Sequence, residues 1–142
     1  MKPQLLVVGI LALFPDIGPS RAAEPFKLSD LSPPQQAQLF EQVDAYALLA
    51  GFLDFCKRPP HIVERLSPIA KGCVDDNSFQ LVVRRFNDAV LKNSGPYRCD
   101  APGFAEHVAR FEAKIEAVVT DFAKACRLHS FIGASFPKAT SP

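Results

Sequence analysis

The apolar residues of the segment 39–56 (LFEQVDAYALLAGFLDFC) recur at alternating four- and three-residue steps. That spacing places them on one face of a helix. The positions that carry this stripe are Leu39, Val43, Tyr46, Ala50 and Leu53. Additional apolar residues widen the stripe until most of the helix surface is apolar. The pattern therefore predicts a central helix that other helices cover on several sides.

The residues ahead of this segment indicate where the helix begins. Ser32 can cap it, Pro33 fits the first helical position, and Gln35 stands where the partner in a capping box belongs. The helix is predicted to continue to Cys56. Gly51 lies inside it, and the missing side chain would let another helix approach closely.

Two further helical stripes follow. The second helix is predicted over residues 60–71, where Pro68 either kinks it or divides it into two pieces. The third helix is predicted over residues 78–93, after a cluster of capping residues at 75–78. Its inward-facing residues are predicted to be Phe79, Val82, Val83, Phe86 and Val90.

The fourth helix has the most regular pattern. Asp100 is predicted to cap it, with Ala101 and Pro102 in its first turn. Steps of four and three residues then hold over three heptads, as in the seam of a helical bundle. The residues on this seam are Phe104, Val108, Phe111, Ile115, Val118, Phe122 and Cys126. With no strand pattern and short loops, the sequence predicts an all-α fold, a small up-down-up-down four-helix bundle.

The N-terminal residues 1–22 are typical of a cleaved secretory signal peptide. Lys2 precedes an apolar run over residues 5–14, and Ser20 and Ala22 are the small residues that fit cleavage after position 22. The alternative is a retained membrane anchor, for which the run is short. After cleavage no transmembrane segment is expected.

The chain of 142 residues favours one domain. After the signal peptide, the sequence predicts an extended lead-in over residues 23–34, the four-helix domain over 35–128 and a C-terminal tail over 129–142. The predicted location is outside the cytoplasm: the periplasm if the source is a Gram-negative bacterium, and otherwise the secreted fraction.

Composition narrows the classes of partner. The chain is 48% hydrophobic and 22% charged, which is typical of a globular protein, and its formal net charge is +1. Removing residues 1–22 takes away two basic residues and one acidic residue, so the mature chain is formally neutral. This balance gives no reason to expect a nucleic-acid partner.

Four cysteines in an exported chain indicate two disulfides, and four cysteines allow three pairings. Cys73 and Cys99 flank the third helix, which spans about 24 Å, and Cys99 and Cys126 lie at opposite ends of the fourth helix, roughly 40 Å apart. Bridged Cα atoms must lie within about 7 Å of each other. Elimination leaves the pairs Cys56–Cys99 and Cys73–Cys126.

Candidate chemistry is sparse. His61 and Glu64 share a helix face at i,i+3, but a ferritin-like metal site needs the reverse order twice and two further glutamates. No catalytic residue, metal ligand set or cofactor is therefore predicted. Lys57, Arg58, Lys92 and Arg98 are predicted to gather at one end of the bundle, as a possible patch for an anion or an acidic partner.

The apolar surface of the first helix bears most directly on function. Either the other helices and the tail cover it, the tail with Phe131, Ile132 and Phe136, or it forms a homodimer face or a groove for an apolar ligand. The first hypothesis is a non-catalytic module that binds a protein partner or self-associates. The second is a carrier of a small apolar ligand within the bundle, and the third is an enzyme without a recognisable motif.

Side-chain size decides the order of these hypotheses. The large residues at inward positions predict little room for a cavity, which places the interaction module first. A cavity beside the first helix would reverse that order.

Overall fold

A computed structural model describes residues 24–128 of the chain. Its four helices are α1 (Pro33–Phe55), α2 (Ile62–Ala70), α3 (Asp76–Lys92) and α4 (Phe104–Leu128). A short 3-10 helix, Leu28–Asp30, precedes α1, and the only β-type pairing among residues 24–128 is an isolated bridge between Phe26 and Val74. The predicted all-α class with four packed helices is confirmed. The predicted signal peptide and C-terminal tail lie outside the described residues.

The start of α1 is a capping box, as the sequence predicts. The Ser32 hydroxyl accepts a hydrogen bond from the Gln35 amide at 3.4 Å, and the Gln35 side-chain oxygen accepts one from the Ser32 amide at 2.9 Å. At α3 the Asp75 carboxylate caps the helix by accepting from the Ser78 amide at 3.0 Å. That helix begins at Asp76, two residues before the predicted start.

The predicted start of the fourth helix is wrong. Asp100 does not cap it, and Ala101 and Pro102 lie in a turn before α4 begins at Phe104. Gly103 has φ +78°, a left-handed conformation that interrupts a right-handed helix and favours glycine. The capping-type residues at 100–102 therefore form a turn, and the regular seam starts after the glycine.

The helices form two parallel pairs. In the first pair, Asp44 of α1 binds Arg85 of α3, and Gly51 lies beside Asn93 at the end of α3. Because both contacts advance in the same direction along the two helices, α1 and α3 are parallel. Closest packing within the bundle joins α1 to α3, α2 to α4, and α1 to α4.

The second pair is α2 with α4. Arg65 forms a bidentate ion pair with Glu116, with N–O distances of 2.6 and 2.7 Å, and the Cys73–Cys126 bridge joins the turn after α2 to the C-terminal part of α4. These two contacts again advance together. The Cys56–Cys99 bridge, by contrast, joins the end of α1 to the loop before α4, so α1 and α4 are antiparallel. The order is up-down-up-down.

Both predicted disulfides are confirmed. The Cα atoms of Cys56 and Cys99 lie 5.6 Å apart, and those of Cys73 and Cys126 lie 5.5 Å apart. The bridges sit at opposite poles of the bundle and leave no free cysteine. Helix length was the decisive constraint, because a disulfide cannot reach from one end of a long helix to the other.

The main core lies where the second half of α1 meets the first half of α4. We call this region the packed pole; its buried residues are Tyr46, Leu49, Phe52, Leu53, Ile62, Val108, Phe111 and Ile115. The Phe52 ring meets that of Phe111 edge-on, with centroids 5.3 Å apart. A Cβ atom added to Gly51 would lie 2.7 Å from the Asn93 carbonyl oxygen, which confirms the close helix approach predicted there.

Candidate functional site

The opposite pole of the bundle contains an open cavity of about 440 Å³. It lies between the α1/α3 pair and the α2/α4 pair, and residues from all four helices and from the chain ahead of α1 line it. We call it the cleft, and the end of the bundle that holds it the open pole. Cavities of about 300–1,000 Å³ are the usual size for binding small molecules.

The first half of α1 forms one wall of the cleft. Its lining residues are Gln35, Gln38, Leu39, Gln42, Val43 and Tyr46. Leu39, Val43 and Tyr46 are the first three members of the stripe found in the sequence. Tyr46 also belongs to the main core, and from Leu49 onward the helix lies in the packed pole. One continuous stripe thus serves two purposes, since its beginning lines a cavity and its continuation packs against α4.

The next part of the lining comes from α3, which packs beside α1. Its lining residues are Ser78, Phe79, Val82, Val83 and Phe86. The four apolar ones are among those predicted to face inward, and all four are only half-buried. The large inward side chains were predicted to leave little room for a cavity, yet the cleft is present beside them. Phe86 packs against the main core and Phe79 against the cluster around Cys73 and Cys126, and both rings still line the cleft.

The α2/α4 pair completes the cleft with a third group of apolar side chains. They are Ile62, Val63, Leu66, Val118 and Phe122. The length of α2 explains why the cleft stays open. With nine residues it spans about 14 Å, whereas the 23 residues of α1 span about 34 Å. A helix that short cannot cover its neighbours over their full length.

The chain ahead of α1 closes the cleft at its end. Phe26 donates its amide to the Cys73 carbonyl at 2.9 Å and accepts from the Asp75 amide at 2.8 Å, and both Phe26 and Val74 line the cleft. The Leu28 amide donates to the hydroxyl of Ser78 at 3.0 Å. These bonds fix the segment to the α2–α3 loop and to the start of α3.

Two further contacts fix the same segment from the side of α1. The side-chain amide of Gln36 donates through Nε2 to the Leu28 carbonyl at 2.9 Å and to the Leu31 carbonyl at 3.1 Å. Leu28 and Leu31 both line the cleft. With the Cys73–Cys126 bridge beside it, the closed end of the cleft is held by hydrogen bonds and a covalent link.

The cleft lining that residues 24–128 provide is uncharged. Within those residues it contains no Asp, Glu, Lys, Arg or His side chain, and its polar groups are three glutamine amides, the Tyr46 phenol and the Ser78 hydroxyl. Burial, and then the negative charge of Asp121, raises the pKa of Tyr46, so its phenol stays neutral. The Ser78 hydroxyl donates to Asp75 at 3.1 Å and accepts from Leu28. The lining can therefore offer apolar contact and neutral hydrogen-bonding groups.

The four residues of the predicted basic patch make separate contacts. Arg58 pairs with Glu112 of α4 at 2.8 Å, and Arg98 lies 3.7 Å from Asp100 in its own loop. Lys92 lines a second depression of about 430 Å³ between α1 and α3, which also contains the Asp44–Arg85 ion pair. Lys57 lies just after the end of α1, with a left-handed backbone. Binding of an anion or an acidic partner by these four residues stays a prediction.

Histidine and carboxylate placement gives no metal site within the described chain. Over residues 24–128, no three His, Cys, Asp or Glu side chains group closely enough to hold a metal ion. His61 immediately precedes α2 in a left-handed conformation, and His107 lies on α4 within 3.4 Å of Arg110. His129 lies outside the described residues.

Comparison with known proteins gives no further guide to function. No protein-family model, curated protein or solved structure matches this chain. Within residues 24–128, no helix combines the length and apolarity that crossing a bilayer requires. The function is therefore argued from the cleft itself.

Proposed function

We propose that this protein is an exported, non-catalytic carrier that binds a small apolar ligand in the cleft. The observation that supports the proposal is the cleft itself, an uncharged cavity of about 440 Å³ bounded by all four helices. Its presence beside α1 ranks ligand carriage above the interaction module. A protein partner or self-association stays a prediction without a described surface to support it.

Exposed apolar area gives the physical reason for a ligand. Phe79, Phe86 and Phe122 line the cleft and are only half-buried. Each Å² of apolar surface removed from water contributes about 25 cal/mol. An apolar molecule that covers these rings removes their exposed surface from water, and the resulting free energy stabilises the complex.

The rigid end of the cleft supports the same proposal. Backbone hydrogen bonds join Phe26 to Cys73 and Asp75, and a disulfide joins Cys73 to Cys126. A cavity that is fixed before binding loses little conformational entropy when the ligand enters. The closed end therefore favours affinity for a compact ligand.

The two disulfides are compatible with export. Disulfides persist in oxidising compartments and are rare in the cytosol, and all four cysteines are bridged. Together with the signal-like residues 1–22, this supports a mature chain that begins near Ala23. Intact-mass measurement on protein from a secreting host tests this part, and a membrane-bound product that retains residues 1–22 would contradict it.

The binding proposal can be tested with a single introduced fluorophore. The chain has no tryptophan, so Phe79→Trp places the only indole in the cleft. Titration with Nile red, a neutral apolar dye, is expected to shift the tryptophan emission saturably. Leu91→Trp, on the same helix but at a side chain 72% exposed, is the matched control and is expected to show no shift.

A cleft-filling variant tests location independently. Val83→Phe adds volume at a half-buried lining position and should weaken Nile red binding at least about tenfold by occupying the cavity. Leu81→Phe, two residues away at a side chain 50% exposed, should leave binding unchanged. Equal binding by wild type and both variants would contradict the proposal.

A further inference from the structure

The polar groups of the cleft are arranged along one edge. Gln35, Gln38 and Gln42 lie at three- and four-residue steps on α1, so they share one face of that helix. Gln35 and Gln38 are exposed and Gln42 is half-buried. The amide groups therefore follow the outer edge of the α1 wall, and the apolar side chains of α2, α3 and α4 lie across from them.

From this arrangement we propose that the cleft takes a neutral amphiphile, a single apolar chain that ends in an uncharged polar group such as a hydroxyl. The apolar chain lies among Val43, Val83 and Phe122, and the polar end meets the glutamine edge. This inference rests on the proposed function, because it names the ligand class for the same cleft.

Charge is what distinguishes this ligand from a fatty acid. A carboxylate binds most strongly where a cationic side chain pairs with it, and at the glutamine edge it meets neutral amides. Among the described residues that line the cleft, none has a cationic side chain to pair with a carboxylate. A hydroxyl, by contrast, both donates to and accepts from a glutamine amide.

A matched pair of ligands tests the inference on the full mature chain. 1-Decanol and decanoate have the same chain length and differ only in the end group. At neutral pH, and below micelle-forming concentrations, 1-decanol is expected to displace Nile red at a concentration at least about tenfold lower than decanoate does. Equal or better displacement by decanoate would overturn the inference, and so would displacement by neither.

The outcome for Nile red separates this inference from the proposed function. If Nile red itself does not bind, the cleft is not a ligand site and both proposals fail. If Nile red binds in the cleft but decanoate competes as well as 1-decanol, only the ligand class is wrong.

A charge introduced at the edge tests where the polar end lies. Gln38→Lys is expected to raise decanoate affinity by about fivefold, the upper range for an exposed ion pair, and to leave 1-decanol affinity unchanged. Ala37→Lys adds the same charge to the next position, which is exposed but does not line the cleft, and should alter neither affinity. An identical response of the two lysine variants would overturn the placement of the polar end at this edge.

Discussion

The packed pole and the open pole are built from the same kinds of side chain and differ in what those side chains meet. At the packed pole, α1 and α4 touch, and Phe111 and Ile115 are 3% and 1% exposed. At the open pole, Val82 and Val83 of α3 are half-buried and face a cavity. Apolar spacing shows which face of a helix turns inward, but the distance to the next helix decides whether that face is filled.

The short second helix accounts for this difference. Since α2 covers less than half the length of α1, the open pole is completed by other means: the chain ahead of α1 and the Cys73–Cys126 bridge. Around that bridge, Ala70, Cys73, Val74 and Cys126 form a small second core. The cleft lies beside this core, and it is there that we propose a ligand binds.

The largest effect is expected from a core truncation. Phe111→Ala removes a buried ring from the packed pole and should lower the free energy of unfolding by about 3–5 kcal/mol. Glu112→Ala, the next residue along, removes one exposed ion pair with Arg58 and should cost at most about 0.5 kcal/mol. Chemical denaturation measures the free energy of unfolding of both variants. Similar decreases in the two variants would mean that the register of α4 is wrong.

Removing each disulfide separates stability from binding. The bridges enclose similar lengths of chain, with sequence separations of 43 and 53, so replacing either pair with alanines should cost a similar amount, about 2–4 kcal/mol. Loss of Cys73–Cys126 should also weaken Nile red binding because it frees the closed end of the cleft. Loss of Cys56–Cys99, at the packed pole, should leave binding intact. Equal binding losses would contradict the division into two poles.

A matched pair of valines gives the smallest and most local comparison. Val108→Ala deletes two methyl groups from a side chain 4% exposed and should cost about 2 kcal/mol. Val82→Ala makes the same change at a half-buried position in the cleft and should cost less than about 1 kcal/mol. Urea denaturation of both variants measures the two changes in the free energy of unfolding. A larger decrease for Val82→Ala than for Val108→Ala would show that the open pole is packed.

Local chemistry made most of the fold predictable from the sequence. The Ser32 and Gln35 side chains form the expected capping box. The disulfide pairing followed from helix length, because the rise per residue shows which cysteines lie too far apart to be bridged. The start of α4 was misplaced because Asp100 looks like a cap in isolation. The left-handed Gly103 that separates it from the helix depends on the whole turn.

The sequence predicted a groove for an apolar ligand only as an alternative to a filled core, although one signal that favours the groove was present. The second segment is confined between Pro60 and Gly72, too short to match the first, third and fourth helices. The pattern on α3 gave no warning, because Phe79 and Phe86 would look the same facing a cavity as facing a core. The distance between the α1/α3 pair and the α2/α4 pair is a tertiary property, and the spacing of apolar residues along one helix does not predict it.

A crystal structure of the mature chain grown with 1-decanol would show whether the open pole holds a ligand. We expect electron density for one decanol chain between Val43 of α1 and Val83 of α3, with its hydroxyl within hydrogen-bonding distance of Gln38 or Gln42. A cleft closed by shifted side chains, or occupied by residues 129–142 in place of the ligand, would contradict it.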